Sequence, residues 1–179
     1  MTDVLCHMDI IFKHLLDLCI AKKKVQNDKI CMSTMYKKCD LDTMINYILK
    51  YEDSSNKYNS IYMSFCNKYD IYKKYYFSNN DDTDYKESLI TLNMSIDKLN
   101  EVKANIFDLL LSNKEDYNNF NNQSDKLKTL IKYSLKCSRH LVYIACFTNI
   151  ETNRLIEDFY VAYNSVTSAR IILKITGTF

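Results

Sequence analysis

Three observations predict an all-α fold for this chain of 179 residues. Proline is absent and glycine occurs once, at Gly177, so the residues that most often break helices are missing. Apolar residues recur at steps of three and four along most of the sequence, the period of a helix with one buried stripe. Between these stripes stand clusters of Asn, Asp and Ser, which take the corners that Gly and Pro would otherwise make.

The elements follow in order. Residues 3–21 read as an amphipathic helix, with Val4, Met8, Ile11, Phe12, Leu15, Leu18 and Cys19 on one side and Thr2 or Asp3 as its cap. Residues 22–40 are Lys-rich and then run ICMSTMYKKCD, a weaker pattern with room for one short helix. The stretch 41–76 carries two helices. Asp42 to Tyr51 has Met44, Ile45, Ile48 and Leu49 as its apolar side. Asn56 to Tyr76 has Tyr58, Ile61, Tyr62, Phe65, Tyr69, Tyr72 and Tyr76 on one stripe. Glu52-Asp53-Ser54-Ser55 between them reads as a tight corner.

Residues 78–84 read as a polar loop, and 86–93 as a short helix. Ser95 caps a helix that buries Ile96, Leu99, Val102, Ile106, Leu109 and Leu110. Residues 114–123 form a second polar loop, and Ser124 caps the most apolar helix, 125–147. Leu127, Leu130, Ile131, Leu135, Cys137, Leu141, Val142, Ala145 and Cys146 nearly encircle it, the pattern of a central bundle helix. Leu130, Ile131, Leu141 and Val142 are expected in the core. Thr148-Asn149-Ile150-Glu151 fits a capping box for a helix to Tyr163. Leu155, Ile156, Phe159 and Ala162 face inward from it. Ser165 caps a last helix, with Val166, Ala169, Ile172 and Leu173 inward and Gly177 at its C-terminal cap.

Composition narrows the function classes. There is no Gly-rich phosphate loop, so the standard nucleotide-binding motifs are excluded and no cofactor is expected. The net charge is +2 and Lys22-Lys23-Lys24 is the only run of three, which gives nucleic acid no electrostatic footing. Lysine outnumbers arginine 21 to 3, the usage of an AT-rich genome. No apolar run is long enough to span a membrane. The start lacks the basic segment of a signal peptide, and RIILKITGTF at the end is too short for a tail anchor. The seven cysteines, at 6, 19, 31, 39, 66, 137 and 146, form no CxxC pair and are expected as reduced thiols in cytosol or nucleus.

Residue types that carry chemistry are present without an arrangement that uses them. His7 and His14 share a helix face but stand about 10 Å apart, too far to share one zinc ion. Cys137 and His140 are three apart on one helix, yet nothing orients the imidazole and Cys137 falls on the buried side. Carboxylates are scattered over exposed faces, and tyrosines at helical spacing are core. No catalytic residue, no metal ligand and no enzyme is expected.

Short strings in a shared order resemble the poxvirus family of Bcl-like intracellular immune modulators. Ile45-Asn46-Tyr47-Ile48-Leu49-Lys50 is similar to the family's first helix, with Lys50 where Trp is usual. Ile61-Tyr62 through Tyr69-Asp70 to Tyr75-Tyr76 resembles its second, with Phe77 where Gly is usual. Ile96 to Val102 resembles the next, and residues 124–179 resemble the last three in length and order, a cysteine such as Cys137 being common in the central one. The resemblance covers residues 41–179; residues 78–94 look like an insertion and 1–40 have no counterpart. It implies a Bcl-like helical bundle around a central apolar helix, with an extra N-terminal helix. The domains would be 1–40, an extension, and 41–179.

The resemblance also implies a function: a non-enzymatic virulence factor in the host cytoplasm or nucleus. Such a protein binds host signalling proteins and blocks NF-κB or interferon regulatory factor activation. Several members form homodimers, and the matching face here would comprise Asn46, Lys50, Tyr51, Asn153, Glu157 and Tyr160. Two alternatives stand beside it. One is an apoptosis inhibitor that holds an amphipathic death helix, although the Asn-Trp-Gly-Arg signature and a hydrophobic tail are missing. The other is a structural helical protein. The stripe on residues 3–21 needs cover, and it is expected to pack back on its own domain, against the surface left by residues 78–94.

Overall fold

The lack of Pro, with a single Gly near the end, has a larger effect than the sequence pattern suggested. In a computed structural model, which describes residues 2–36, 38–78, 80–112 and 116–177, the chain forms five long helices and, among those residues, no strand. They are α1 (Thr2–Met35), α2 (Leu41–Tyr76), α3 (Thr83–Leu111), α4 (Tyr117–Phe147) and α5 (Thr152–Ile175). Each replaces what had read as two shorter pieces or a helix and a loop. Glu52-Asp53-Ser54-Ser55 is not a corner, because α2 runs straight through it. Ser54 is buried there, and its hydroxyl donates to the Tyr51 carbonyl at 3.1 Å, inside the helix. Residues 86–93 and 95–110 belong to one helix, as do 152–163 and 165–175. The Asn-rich segment before Ser124 is helical from Tyr117, capped by Asp116, whose carboxylate accepts from the Asn119 amide at 3.1 Å.

Two compact units divide the chain, 1–75 and 76–179. The boundary expected at residue 40 does not coincide with this division, since α2 groups with α1. The first unit is an αα-hairpin. Its turn is closed by Lys38 N–H donating to Met35 O at 3.0 Å and by the Cys39 thiol donating to the same carbonyl at 2.9 Å. Asp40 then caps α2, its carboxylate accepting from the Thr43 amide at 2.8 Å. The helices run antiparallel. His7 stacks on Tyr72 with centroids 4.9 Å apart, and Lys68 Nζ lies 2.6 Å from His14 Nε2. The stripe read on residues 3–21 is covered within the chain: Met8, Ile11, Phe12, Leu15, Leu18 and Cys19 are all buried. The contacts of α1 with α2 supply its neighbour inside this unit.

The second unit packs α3, α4 and α5 so that each touches the other two. The most extensive contact is α3 on α4. Buried Ser95 and Ser134 face each other there, hydroxyl to hydroxyl, at 2.6 Å. Small hydroxyls let the two backbones approach closely. The apolar core holds Leu92, Leu99, Ile106, Leu127, Leu141, Val142, Leu155, Phe159 and Leu173. Of the four core residues expected on α4, Ile131, Leu141 and Val142 are buried while Leu130 is half-exposed. Leu135 is half-exposed too, and Lys126, Lys132 and Lys136 lie in solvent, so α4 is amphipathic and not apolar all round.

The α4–α5 corner corrects the capping-box reading. Thr148 ends α4, its hydroxyl donating back to Ile144 O at 2.7 Å. Asn149 takes the left-handed conformation, φ 53°, and Ile150 N–H donates to Ala145 O at 3.3 Å. That is a Schellman turn with Asn in the usual place of Gly, sealed by buried Ile150. Gly177 does serve where expected: φ is 71° and its amide donates to Lys174 O at 3.1 Å, closing α5.

Candidate functional site

The hairpin carries an apolar face with no cover. From Lys22 to Asp53 no described residue is buried, whereas Ala21 and Ser54 on either side are. Four apolar residues of α2 in this span are nonetheless large and exposed: Leu41 (75%), Ile45 (43%), Ile48 (38%) and Leu49 (55%). The sequence had marked Ile45, Ile48 and Leu49 as the buried side of a short helix. Periodicity found the stripe correctly and assigned it the wrong surroundings.

A second feature is a cleft of about 490 Å³ between the start of α3 and the second half of α4. Asp84, Glu87, Ser88 and Thr91 line it from α3; Tyr133, Lys136, Cys137, His140 and Ile144 line it from α4. Both sets follow helical spacing, which was the signal that sequence reading passed over. Cys137 is buried, and a hydrogen bond to it, followed by its charge, holds the Tyr133 hydroxyl above its ordinary pKa. His140 lies against the Tyr143 ring, centroids 6.4 Å apart. No group of three His, Cys, Asp or Glu among the described residues is placed to hold a metal ion. The cleft is a trough of mixed polar, charged and apolar lining, without a nucleophile, base and orienting group in series among the lining residues.

Beside it lies a polar clamp on the same unit. Asp82 receives Arg154 Nη1 at 3.2 Å and Lys86 Nζ at 3.2 Å. The Arg154 bond, then the Lys86 bond, holds the Asp82 carboxyl below the usual carboxylate range. Arg154 lies over the Tyr85 ring, 4.9 Å from its centroid, and Tyr85 donates its hydroxyl proton to Asp158 Oδ2 at 2.7 Å. Burial, then this bond, raises the Tyr85 pKa. The clamp ties α3 to α5 and is structural.

The six residues of the implied dimer face lie on two helices of different units. Asn46 and Lys50 are exposed on α2 and Tyr51 is half-buried; Lys50 Nζ sits 5.7 Å from the Tyr47 centroid. Asn153 and Glu157 are exposed on α5, while Tyr160 is 7% exposed and stacks on Tyr163 at 6.1 Å. The Tyr160 ring is therefore buried and is not part of an exposed face. No helix among the described residues is long and apolar enough to cross a membrane. No known family, curated protein or solved structure matches the chain.

Proposed function

We propose that this chain is a helical binding protein of the poxvirus Bcl-like kind, which sequesters host signalling proteins in the cytoplasm and so blocks innate immune activation through NF-κB or the interferon regulatory factors. The observation that carries the reading is the outward apolar stripe of α2, Leu41, Ile45, Ile48 and Leu49. Contiguous apolar surface rimmed by polar residues is the kind of surface that interaction sites use. The family-like strings motivate it by their order in the sequence, although Ile45–Lys50 and Ile61–Tyr76, expected on two successive helices, share the single helix α2. The first of them overlaps the stripe itself.

The test is expression of the full chain in human cells carrying an NF-κB reporter and an interferon-promoter reporter. Inhibition of at least one, after receptor stimulation, is the expected result. No inhibition of either overturns the reading. An experimental structure of the chain, compared with Bcl-like bundles, tests the proposed fold kinship separately.

A further inference from the structure

The α2 stripe has a chemical surround that narrows its partner. Leu41, Ile45, Ile48 and Leu49 follow i, i+4, i+7, i+8 and form one strip about two turns long. At 100° per residue its centre lies roughly 140° around the axis from Ser54, Phe65 and Tyr69, the residues α2 buries. The strip is thus the outer face of the hairpin and not a continuation of its seam.

The charges nearest this strip on α2 are acidic. Glu52 lies on its line, and Asp42 and Asp53 border it on one side. Lys50 points about 150° away from the strip centre, and its ammonium rests over Tyr47. Among the described residues, the remaining lysines of this half of the hairpin, Lys22 to Lys24, Lys29 and Lys38, stand on α1 or in the turn. A second copy laid antiparallel on the same strip would set Asp42 against Glu52 and Asp53 of its mate. Like charges across a helix pair disfavour that arrangement. Aliphatic residues edged by three carboxylates complement a helix with an aliphatic face and a cationic flank.

We propose that the outer face of α2 between Leu41 and Asp53 docks an amphipathic helix of a partner protein whose apolar face is flanked by Lys and Arg. The proposal rests on reading the chain as a binding protein, and it supplies the partner's chemistry. Helix-on-helix docking of this kind anchors on residues one turn apart, as Leu41, Ile45 and Leu49 are.

The experiment titrates the full chain against fluorescently labelled helical peptides and reads anisotropy. One peptide has leucines on one face and lysines on both flanks; a second keeps the leucines and carries glutamates; a third keeps the lysines and has glutamines in place of leucine. The lysine-flanked peptide is expected to bind at least tenfold more tightly than either control. An Ile45→Gln, Leu49→Gln variant should lose that binding at least tenfold. An Asp42→Lys, Glu52→Lys, Asp53→Lys variant should turn the preference toward the glutamate-flanked peptide. All five positions are exposed, and circular dichroism of each variant checks that its helices persist.

Equal binding of the lysine and glutamate peptides overturns the proposal, as does binding that survives the Ile45, Leu49 change. A doubled mass by light scattering that the same double change abolishes also overturns it, since a second copy then owns the face. Reporter assays separate this from the broader reading. If the wild-type chain binds the peptide but leaves both reporters untouched, the docking face stands and the immune function falls. If it inhibits a reporter equally well with Ile45→Gln, Leu49→Gln, and shows no peptide preference, the docking face falls alone.

Discussion

Side chains that are fully enclosed set the largest single-residue effects. Leu141 is 0% exposed in the α3–α4–α5 core, so Leu141→Ala is expected to lower unfolding free energy by about 2–5 kcal/mol in urea titration. Half-exposed Leu130, one of the residues the sequence placed beside it, should cost much less on the same change. Tyr85 gives a pH signature. Burial and its bond to Asp158 raise its pKa, so the folded state holds the phenol proton more tightly than the unfolded chain does. That stability is fully present below the ordinary tyrosine value of about 10 and declines as pH rises above it. Tyr85→Phe should cost about 1–2 kcal/mol at pH 7 through the lost bond to Asp158. It should also flatten the alkaline fall in melting temperature, and an unchanged fall would contradict the assignment. The cysteines offer a third check, since none is in a disulfide. Cys6 and Cys31 are exposed, while burial pushes the Cys19 thiol up to about 12. Thiol reagents at neutral pH should label Cys6 and Cys31 quickly and Cys19, Cys137 and Cys146 only on unfolding.

At the scale of the element, the sequence made the helices legible and their ends illegible. Stripes such as Ile11-Leu15-Leu18 and Ile96-Leu99-Val102 were visible because the 3.6-residue period needs no tertiary information. The ends were misread because Asn, Asp and Ser were given the weight of breakers. In a helix interior they cost only a few tenths of a kcal/mol, against about 1 for Gly and about 3 for Pro. A chain holding one Gly and no Pro therefore runs through them, and the packing of each long helix outweighs the small local penalty. Ser55→Pro tests this directly. Inside a continuous α2 it removes one backbone bond and strains another, at about 3 kcal/mol or more. Helical signal and stability should both drop, whereas a true corner at 52–55 would absorb the change. The docking stripe was half legible for a related reason. Ile45, Ile48 and Leu49 announce an apolar face, but a single helix's pattern cannot say whether another helix covers that face. The α3–α4 cleft escaped because it joins residues fifty apart in sequence, and helical spacing on each wall alone looks like solvated surface.

At the scale of the whole molecule, the division of the chain decides what can be cut from it. The resemblance placed a self-sufficient domain at 41–179, but α2 belongs with α1, through His7 on Tyr72 and His14 against Lys68. Removing residues 1–40 strips α2 of that neighbour and leaves a long helix with unmatched residues. Removing residues 1–75 takes the hairpin away entire and leaves α3, α4 and α5, each still touching the other two. That remainder keeps its own core, its Asp82–Arg154 and Tyr85–Asp158 clamp, and the Ser95–Ser134 contact. A fragment of 76–179 is therefore expected to be strongly helical and to melt in one cooperative step. A fragment of 41–179 should be less soluble and should bind a hydrophobic dye more strongly. Both fragments can be compared with the full chain by circular dichroism and thermal melting. If 41–179 is the better behaved of the two, the unit boundary at 75/76 is misplaced and α1 is an accessory to a domain that begins with α2.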